Sequence, residues 1–180
     1  MPLKDFARSI RDGVLARERL RRANPQAWIT SSVIFRGDPK RTQLAADVAV
    51  SGPTALVVTD GGGLTGAFLQ VGERTYIGEF NNIRCAGAPI RIGAHCLISQ
   101  HVTIVGSNHG TAPGIPIVDQ PWSGDGVTIG DDVWIGAGSV ILPGAVLGDG
   151  CVVAANSVVR GSVAAGEIVA GSPARAVGHR

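Results

Sequence analysis

From Ile129 onward the chain keeps a period of six. Ile129, Ile135, Ile141, Leu147, Val153 and Val159 are each followed four residues later by a small or β-branched residue: Val133, Ser139, Ala145, Cys151, Ser157 and Val163. A helix with 3.6 residues per turn cannot hold every sixth residue on one face. An extended chain can, because six is a multiple of two, so the first and fifth residues of each hexad point the same way. A chain bent once per hexad stacks these positions into one core, and hexapeptide repeats of this kind mark a parallel β-helix. The rhythm also runs through Val71, Ile77 and Ile83, slips by three at Pro89-Ile90-Arg91, and resumes at Ile92, Ile98 and Ile104. The pattern therefore predicts an all-β solenoid.

Three stretches depart from the rhythm. Between Ile104 and Ile129 a loop of about twenty residues must leave the coil, and loops of such length are usually functional or disordered. This loop, residues 106–126, holds His109, Trp122 and three prolines, which predicts a stiffened segment. Residues 27–70 contain strand-like runs at Val33-Ile34-Phe35 and Leu56-Val57-Val58 and a turn at Asp60-Gly61-Gly62-Gly63, and read as irregular early coils. Residues 3–22 place Leu3, Phe6, Ile10 and Val14 at helical spacing among charges, and Asn24-Pro25 ends the segment. Residues 1–26 are thus expected to form an amphipathic helix that docks on the coil or on a neighbouring subunit, with residues 27–180 as the solenoid domain. The narrow stripe with its single aromatic residue favours docking over membrane-surface contact. The final segment, Gly171 to Arg180, is expected to close the last coil, whose end needs a cap.

Composition refines this picture. The 26 glycines suit a chain with many corners, and 180 residues suit one domain. The net charge of +2 hides an asymmetry: residues 1–41 carry ten Lys/Arg against four Asp/Glu. A solvated helix face accounts for this more simply than a nucleic-acid surface. The sequence shows neither an apolar run of membrane-spanning length nor a signal-peptide pattern, so a cytoplasmic location is expected. Cys96 and Cys151 fall at fifth positions of hexads and, with Cys85, read as core residues, neither disulfide nor nucleophile.

The unbroken hexads, one extruded loop with a histidine near its start, and the ending Gly171-Ser-Pro-Ala-Arg175 together resemble the hexapeptide-repeat acyltransferases, over roughly residues 71–177. Val127-Thr-Ile-Gly-Asp-Asp-Val-Trp-Ile-Gly136 resembles the segment after the loop in maltose, galactoside and xenobiotic acetyltransferases. Asn82-Ile-Arg-Cys-Ala-Gly87 and Ser107-Asn-His-Gly110 are similar to sugar and polysaccharide O-acetyltransferases. The resemblance implies a left-handed parallel β-helix, a homotrimer with sites between subunits, acetyl-coenzyme A as acyl donor, and a sugar or glycan hydroxyl as acceptor. An amino sugar or antibiotic acceptor, and a non-catalytic scaffold, are the alternatives. No metal is expected.

Acyl transfer to a hydroxyl needs a base for the acceptor's proton and donors for the oxyanion of the tetrahedral intermediate. Histidine suits the first task because its ordinary pKa lies near neutrality. On the residues alone, His109 is either such a base or a loop histidine bonded to backbone, and the resemblance places the base there. It also implies that Asn82 and Asn108 hold the acceptor, with Asn81 a rival to Asn82, and that Asn108 orients His109 or builds the turn. The Ala137 backbone N–H would face the oxyanion. Trp134, Ala137 and Ala155 would flank the coenzyme, and Arg175 would pair with its phosphates. Arg160-Gly161 departs from the Thr-Lys found there in relatives, and Arg160 would supply the charge one residue early. These residues are expected to form a coenzyme wall facing His109. His95 and His101, at fourth positions of hexads, are expected to face outward and not to hold zinc.

Overall fold

The computed structural model describes the backbone of residues 3–180 and the side chains from Arg11 onward. Almost all of the strands are short and parallel, and they stack into three faces. Face one carries Trp28–Ile29, Ala49–Val50, Tyr76–Ile77, Leu97–Ile98, Trp134–Ile135, Val152–Val153 and Glu167–Ala170. Face two carries Ile34–Gly37, Ala55–Val58, Asn82–Arg84, Thr103–Val105, Val140–Ile141 and Val158–Val159. Face three carries Thr42–Leu44, Phe68–Val71, Pro89–Ile92, Val127–Ile129, Val146–Leu147 and Ser162–Val163. The chain visits the faces in turn, so each circuit is one coil of a left-handed parallel β-helix.

The first and fifth residues of the hexads are the core. Val50, Ile77, Ile98, Ile135 and Val153 are register partners on face one and all are fully buried. Each such side chain contributes roughly 1.5–3 kcal/mol of burial. Fifth positions that carry hydroxyls bind across coils. Thr54 Oγ1 donates to the Gly78 carbonyl (2.8 Å), Thr75 Oγ1 to Gly93 (2.8 Å) and Ser139 Oγ to Ala154 (3.0 Å), so no buried hydroxyl of this set is left unpaired.

The fourth residue of each hexad makes the corner. Arg74, Phe80, His95, His101, Asp132 and Asn156 all have φ between 56° and 60°, and Gly138 and Gly150 share the left-handed region. That conformation turns the chain and aims the amide at the preceding coil: His95 N–H donates to the Glu73 carbonyl and His101 N–H to Glu79. Both histidines are therefore exposed corner residues, as their hexad position predicts.

The early coils are regular in a way the hexads conceal. From face one to face two the inward residues are six apart in every coil, as in Ile29 to Phe35, Val50 to Leu56 and Ile77 to Ile83. From face three to the next face one they are six apart again. Only the corner from face two to face three varies. It holds a 3₁₀ turn at Pro39–Arg41 in the first coil, a loop at residues 59–67 in the second and the long loop in the fourth. The loop at 59–67 is a second excursion beside the expected one.

Helix α1, Leu3–Ala23, covers the first coil. Its docking residue is Leu20, which is fully buried in the common core. Asn24 joins the two parts: its amide donates to the Leu20 carbonyl and its carbonyl accepts from the Leu44 N–H (2.7 Å). The expected stripe is thus corrected at Val14, which is exposed, while the side chains of Leu3, Phe6 and Ile10 lie outside the described residues. At the other end Arg175–His179 returns antiparallel to Glu167–Ala170, so the last coil edge is covered by a hairpin instead of a closing turn. Among the described residues no helix is long and apolar enough to cross a membrane.

Candidate active site

The long loop leaves the coil at Gly106 and returns at Gly126, whose N–H donates to the Gly106 carbonyl (3.1 Å). This neck requires glycine. Gly126 has φ 79°, and a Cβ there would run into the Pro89 carbonyl. Above the neck the loop is a hairpin: Asn108–His109 pairs antiparallel with Trp122–Ser123, His109 opposite Trp122. The two rings meet edge to face at 5.1 Å and 68°. The tip is stapled by buried Gln120, whose side chain accepts from the Ala112 N–H (2.7 Å) and donates to the Ala112 and Ile115 carbonyls (3.0 and 2.8 Å). Nothing in the sequence rhythm marks Gln120, which stands between Asp119 and Pro121.

The loop at 59–67 supports the hairpin from below. The Trp122 N–H donates to the Gly62 carbonyl (2.8 Å), and its indole lies so close on Gly61 and Gly62 that a Cβ at either would overlap the ring. Asp60 holds this shelf by accepting from the Ala67 N–H (3.1 Å) and from Arg41 (2.6 Å). The Arg41 hydrogen bond, and then the Ala67 amide, hold its carboxyl below the usual carboxylate range.

His109 opens onto a small cavity of about 200 Å³ lined by Arg84, Ala86, Val105, Ser107, His109 and Trp122. Ser107 Oγ donates to the Ala86 carbonyl (2.7 Å), fixing the start of the loop to the coil beneath. Asn108 precedes His109 on a strand, so the two side chains leave opposite faces of the hairpin, which favours the turn-building alternative for Asn108. The Asn82 amide oxygen accepts from Arg84 Nε (2.9 Å), which ties Asn82 to a residue lining the cavity. Its rival Asn81 is buried, donating to the Gly78 carbonyl and accepting from the Val102 N–H, and is structural. Arg84 is the cavity residue that sequence reasoning missed.

The expected coenzyme residues lie elsewhere on the chain. Trp134 stands on face one, half exposed, with its indole N–H on Ser99 Oγ (3.2 Å). It lines a second cavity of about 410 Å³ with His95, Leu97, Asp132, Val133, Val152 and Arg180. Ala137 and Ala155 occupy successive coils at the corner between faces one and two, where the Ala137 carbonyl accepts from the Asn156 N–H. The amides of Gly136 and Gly138 are both paired, whereas the Ala137 N–H has no backbone partner among the described residues. Arg160 is exposed where face two ends, and Arg175 is exposed on the terminal strand, bonded to the carbonyl of its neighbour Ala174. Within one chain none of these residues lines the His109 cavity.

Burial pushes the Cys85 thiol up to about 12 and Cys151 to about 11, and raises Cys96 as well, so none is a nucleophile near neutrality. Among the described residues no three His, Cys, Asp or Glu side chains gather as a metal site. A cavity of about 550 Å³ beside the end of α1 has Asn24, Lys40, Gln43 and Gln70 in its lining and no histidine, cysteine or carboxylate.

Residues 126–161 match the family model of the bacterial transferase hexapeptide, six repeats. Residues 126–161 thus carry the hexapeptide repeat, and the coil they belong to is shared with solved acetyltransferases. It is similar to the polySia-specific acetyltransferase NeuO, at 25% identity and a TM-score of 0.65, over 84% of this chain and 66% of that one. A hexapeptide-repeat-containing acetyltransferase from Vibrio cholerae is 26% identical with a TM-score of 0.64, over 89% of this chain and 76% of its own. That enzyme is also known in complex with acetyl-coenzyme A. A point mutant of AntD, an N-acyltransferase from Bacillus cereus, in complex with dTDP-4-amino-4,6-dideoxyglucose and coenzyme A, aligns with a TM-score of 0.69 over 91% of this chain and 89% of its own. At 20% identity it shows the shared fold. No curated protein sequence matches the chain.

Proposed function

We propose that this hexapeptide-repeat protein transfers an acetyl group from acetyl-coenzyme A to a hydroxyl of a sugar or glycan, with His109 as general base. The observation that carries the reading is the hold on His109. A glycine neck, the Gln120 staple and the Trp122 contact fix an otherwise exposed histidine at the mouth of a cavity. A side chain so placed contributes little to folding, and positioning is what general-base catalysis requires.

In the reaction His109 takes the proton of the acceptor hydroxyl as its oxygen attacks the thioester carbonyl. The tetrahedral oxyanion is met by the Ala137 N–H. The C–S bond then breaks, the acetyl ester leaves on the acceptor, and the coenzyme thiolate takes the proton back from the imidazolium. Trp134 and Ala155 would border the pantetheine arm, and Arg160 and Arg175 would pair with coenzyme phosphates.

Because one chain sets Ala137 and His109 on different edges, the reading needs a second copy, and a homotrimer brings an edge of each kind together three times. The outward residues of face one support association. Trp28, Ala49, Tyr76, Leu97, Trp134, Val152 and Ile168 are register neighbours, an apolar column along the length of the coil. Trp28, Leu97 and Trp134 of this column are exposed, and contiguous apolar side chains of this kind suit a subunit contact. The cytoplasm expected from the cysteine pattern suits this chemistry.

The test is a thermal-shift titration with acetyl-coenzyme A, followed by mass spectrometry of products formed from free sugars, nucleotide sugars and oligosaccharides. Binding to the folded state raises the melting temperature by mass action. No shift at saturating acetyl-coenzyme A, with no acetylated product, refutes the reading.

A further inference from the structure

We propose that the acceptor carries a carboxylate or a phosphate, and that Arg84 selects it; this rests on the reading of the His109 cavity as the acceptor site. Arg84 ends a face-two strand, and its register partner Val105 leads directly into the loop that bears His109. Both side chains line the same cavity of about 200 Å³. The Arg84 Nε donates to Asn82 Oδ1 (2.9 Å), which restrains the guanidinium and leaves its terminal nitrogens without a hydrogen-bond partner among the described residues. A planar fork held by one edge is the geometry that accepts a carboxylate or phosphate on the other.

Among the described residues Arg84 shares the lack of a carboxylate partner with Arg36, Arg91 and Arg160, and its place beside His109 in the cavity sets it apart. Arg41 is paired with Asp60, Arg21 with Glu18 and Arg180 with Asp132. Among the described residues no carboxylate pairs with Arg84, and none lines the cavity. The face-two strands contain no Asp or Glu at all. Arg36 lies two rungs below in the same outward column, through Val57, at a spacing of about 10 Å. The exposed side of this face is thus cationic next to the base, while Trp122 offers an aromatic surface to the apolar side of a sugar ring. A neutral hexose would leave the Arg84 fork without a partner, whereas an acidic sugar fills it. Asn82 acts through Arg84, as a positioning residue.

The experiment compares glucose, glucuronate and glucose 6-phosphate as acceptors with acetyl-coenzyme A, using the full chain, Arg84→Gln and Arg84→Lys. The ratio of kcat/KM for acidic over neutral acceptor is expected to be tenfold or more in the wild type, to fall near one in Arg84→Gln, and to recover in part in Arg84→Lys. The glucuronate and phosphate arms decide which anion is preferred. Saturation-transfer NMR of the same three sugars without acetyl-coenzyme A reads binding alone. Acid-selective binding lost in Arg84→Gln, in a protein that transfers no acetyl group, upholds the selection and sinks the transferase reading. Turnover or binding that is indifferent to acceptor charge, or that falls equally on all three sugars in Arg84→Gln, overturns the proposal and leaves the transferase reading standing.

Discussion

Replacing His109 with alanine separates catalysis from folding by magnitudes the structure supplies. The side chain is exposed and makes no hydrogen bond among the described residues; its edge contact with Trp122 is the interaction lost. Such aromatic contacts are worth about 0.5–1.5 kcal/mol. For a domain of this size that lowers the melting temperature by about 6 °C at most. A positioned general base contributes about 10²–10⁴ in rate, or about 3–5 kcal/mol of barrier. His109→Ala is therefore expected to lose at least about a hundredfold in kcat while melting within a few degrees of the wild type. Its thermal shift with acetyl-coenzyme A should be retained, since Trp134, Ala137 and Ala155 lie on another edge of the chain. The assay follows release of the coenzyme thiol with a chromogenic disulfide, using an acceptor found by mass spectrometry. A kcat within threefold of wild type, in a folded variant, would refute the assignment of His109 as base. Unfolding of the variant would refute the argument that this histidine is held by the loop and does not hold it.

Other predictions follow from the frame. Ile135→Ala empties a fully buried position between Ile98 and Val153 and should cost about 2–5 kcal/mol in urea unfolding; a loss under about 1 kcal/mol would mean the coils do not share one core. Gly126→Ala places a Cβ against the Pro89 carbonyl at φ 79°, so it should destabilise the loop neck by about 1 kcal/mol or more and lower kcat, and wild-type values in both would show that the neck can shift freely. The three thiols should resist iodoacetamide in the native protein at pH 8 and all react in guanidinium, because burial raises each of them; rapid native labelling of Cys85 would contradict its place in the core.

Legibility in the sequence tracks the two constant corners. Inward residues lie six apart from face one to face two and from face three to face one throughout, so the coil and its core can be read from Ile129 to Val159; Val163, expected at a fifth position, instead pairs with Leu147 as a first one. At the remaining corner the inward residues are separated by nine at Phe35 to Leu44, fifteen at Leu56 to Val71, nine at Ile83 to Ile92, twenty-five at Ile104 to Ile129, six at Ile141 to Leu147 and four at Val159 to Val163. Each change resets the phase, which is why residues 27–70 look irregular although their strands stack in register with the rest. His109 was legible because it lies in the longest of these resets. Arg84, Gln120 and the Gly61-Gly62 shelf were not, because each acts through a partner in another coil or across the hairpin. Arg84 meets His109 one coil on, and Trp122 rests on glycines some sixty residues earlier in the chain.

The same asymmetry bears on how this edge can change. A substitution at a six-residue corner must preserve a left-handed fourth residue and a buried fifth, since both are tied to the coils above and below. The corner from face two to face three is under no such constraint. It already accommodates a 3₁₀ turn, a glycine shelf and a stapled hairpin, one above another, and together they place Arg41, Asp60, Arg84, His109 and Trp122 along one edge of a rigid prism. Under the proposed reading, acceptor recognition varies through this edge while the corner between faces one and two, built from six-residue spacings, keeps its geometry. Exchanging residues 59–67 for a turn of the Pro39–Arg41 kind would test that division. It should remove the support of Trp122 and with it turnover, and should leave both the thermal shift with acetyl-coenzyme A and the cooperative unfolding of the coil intact.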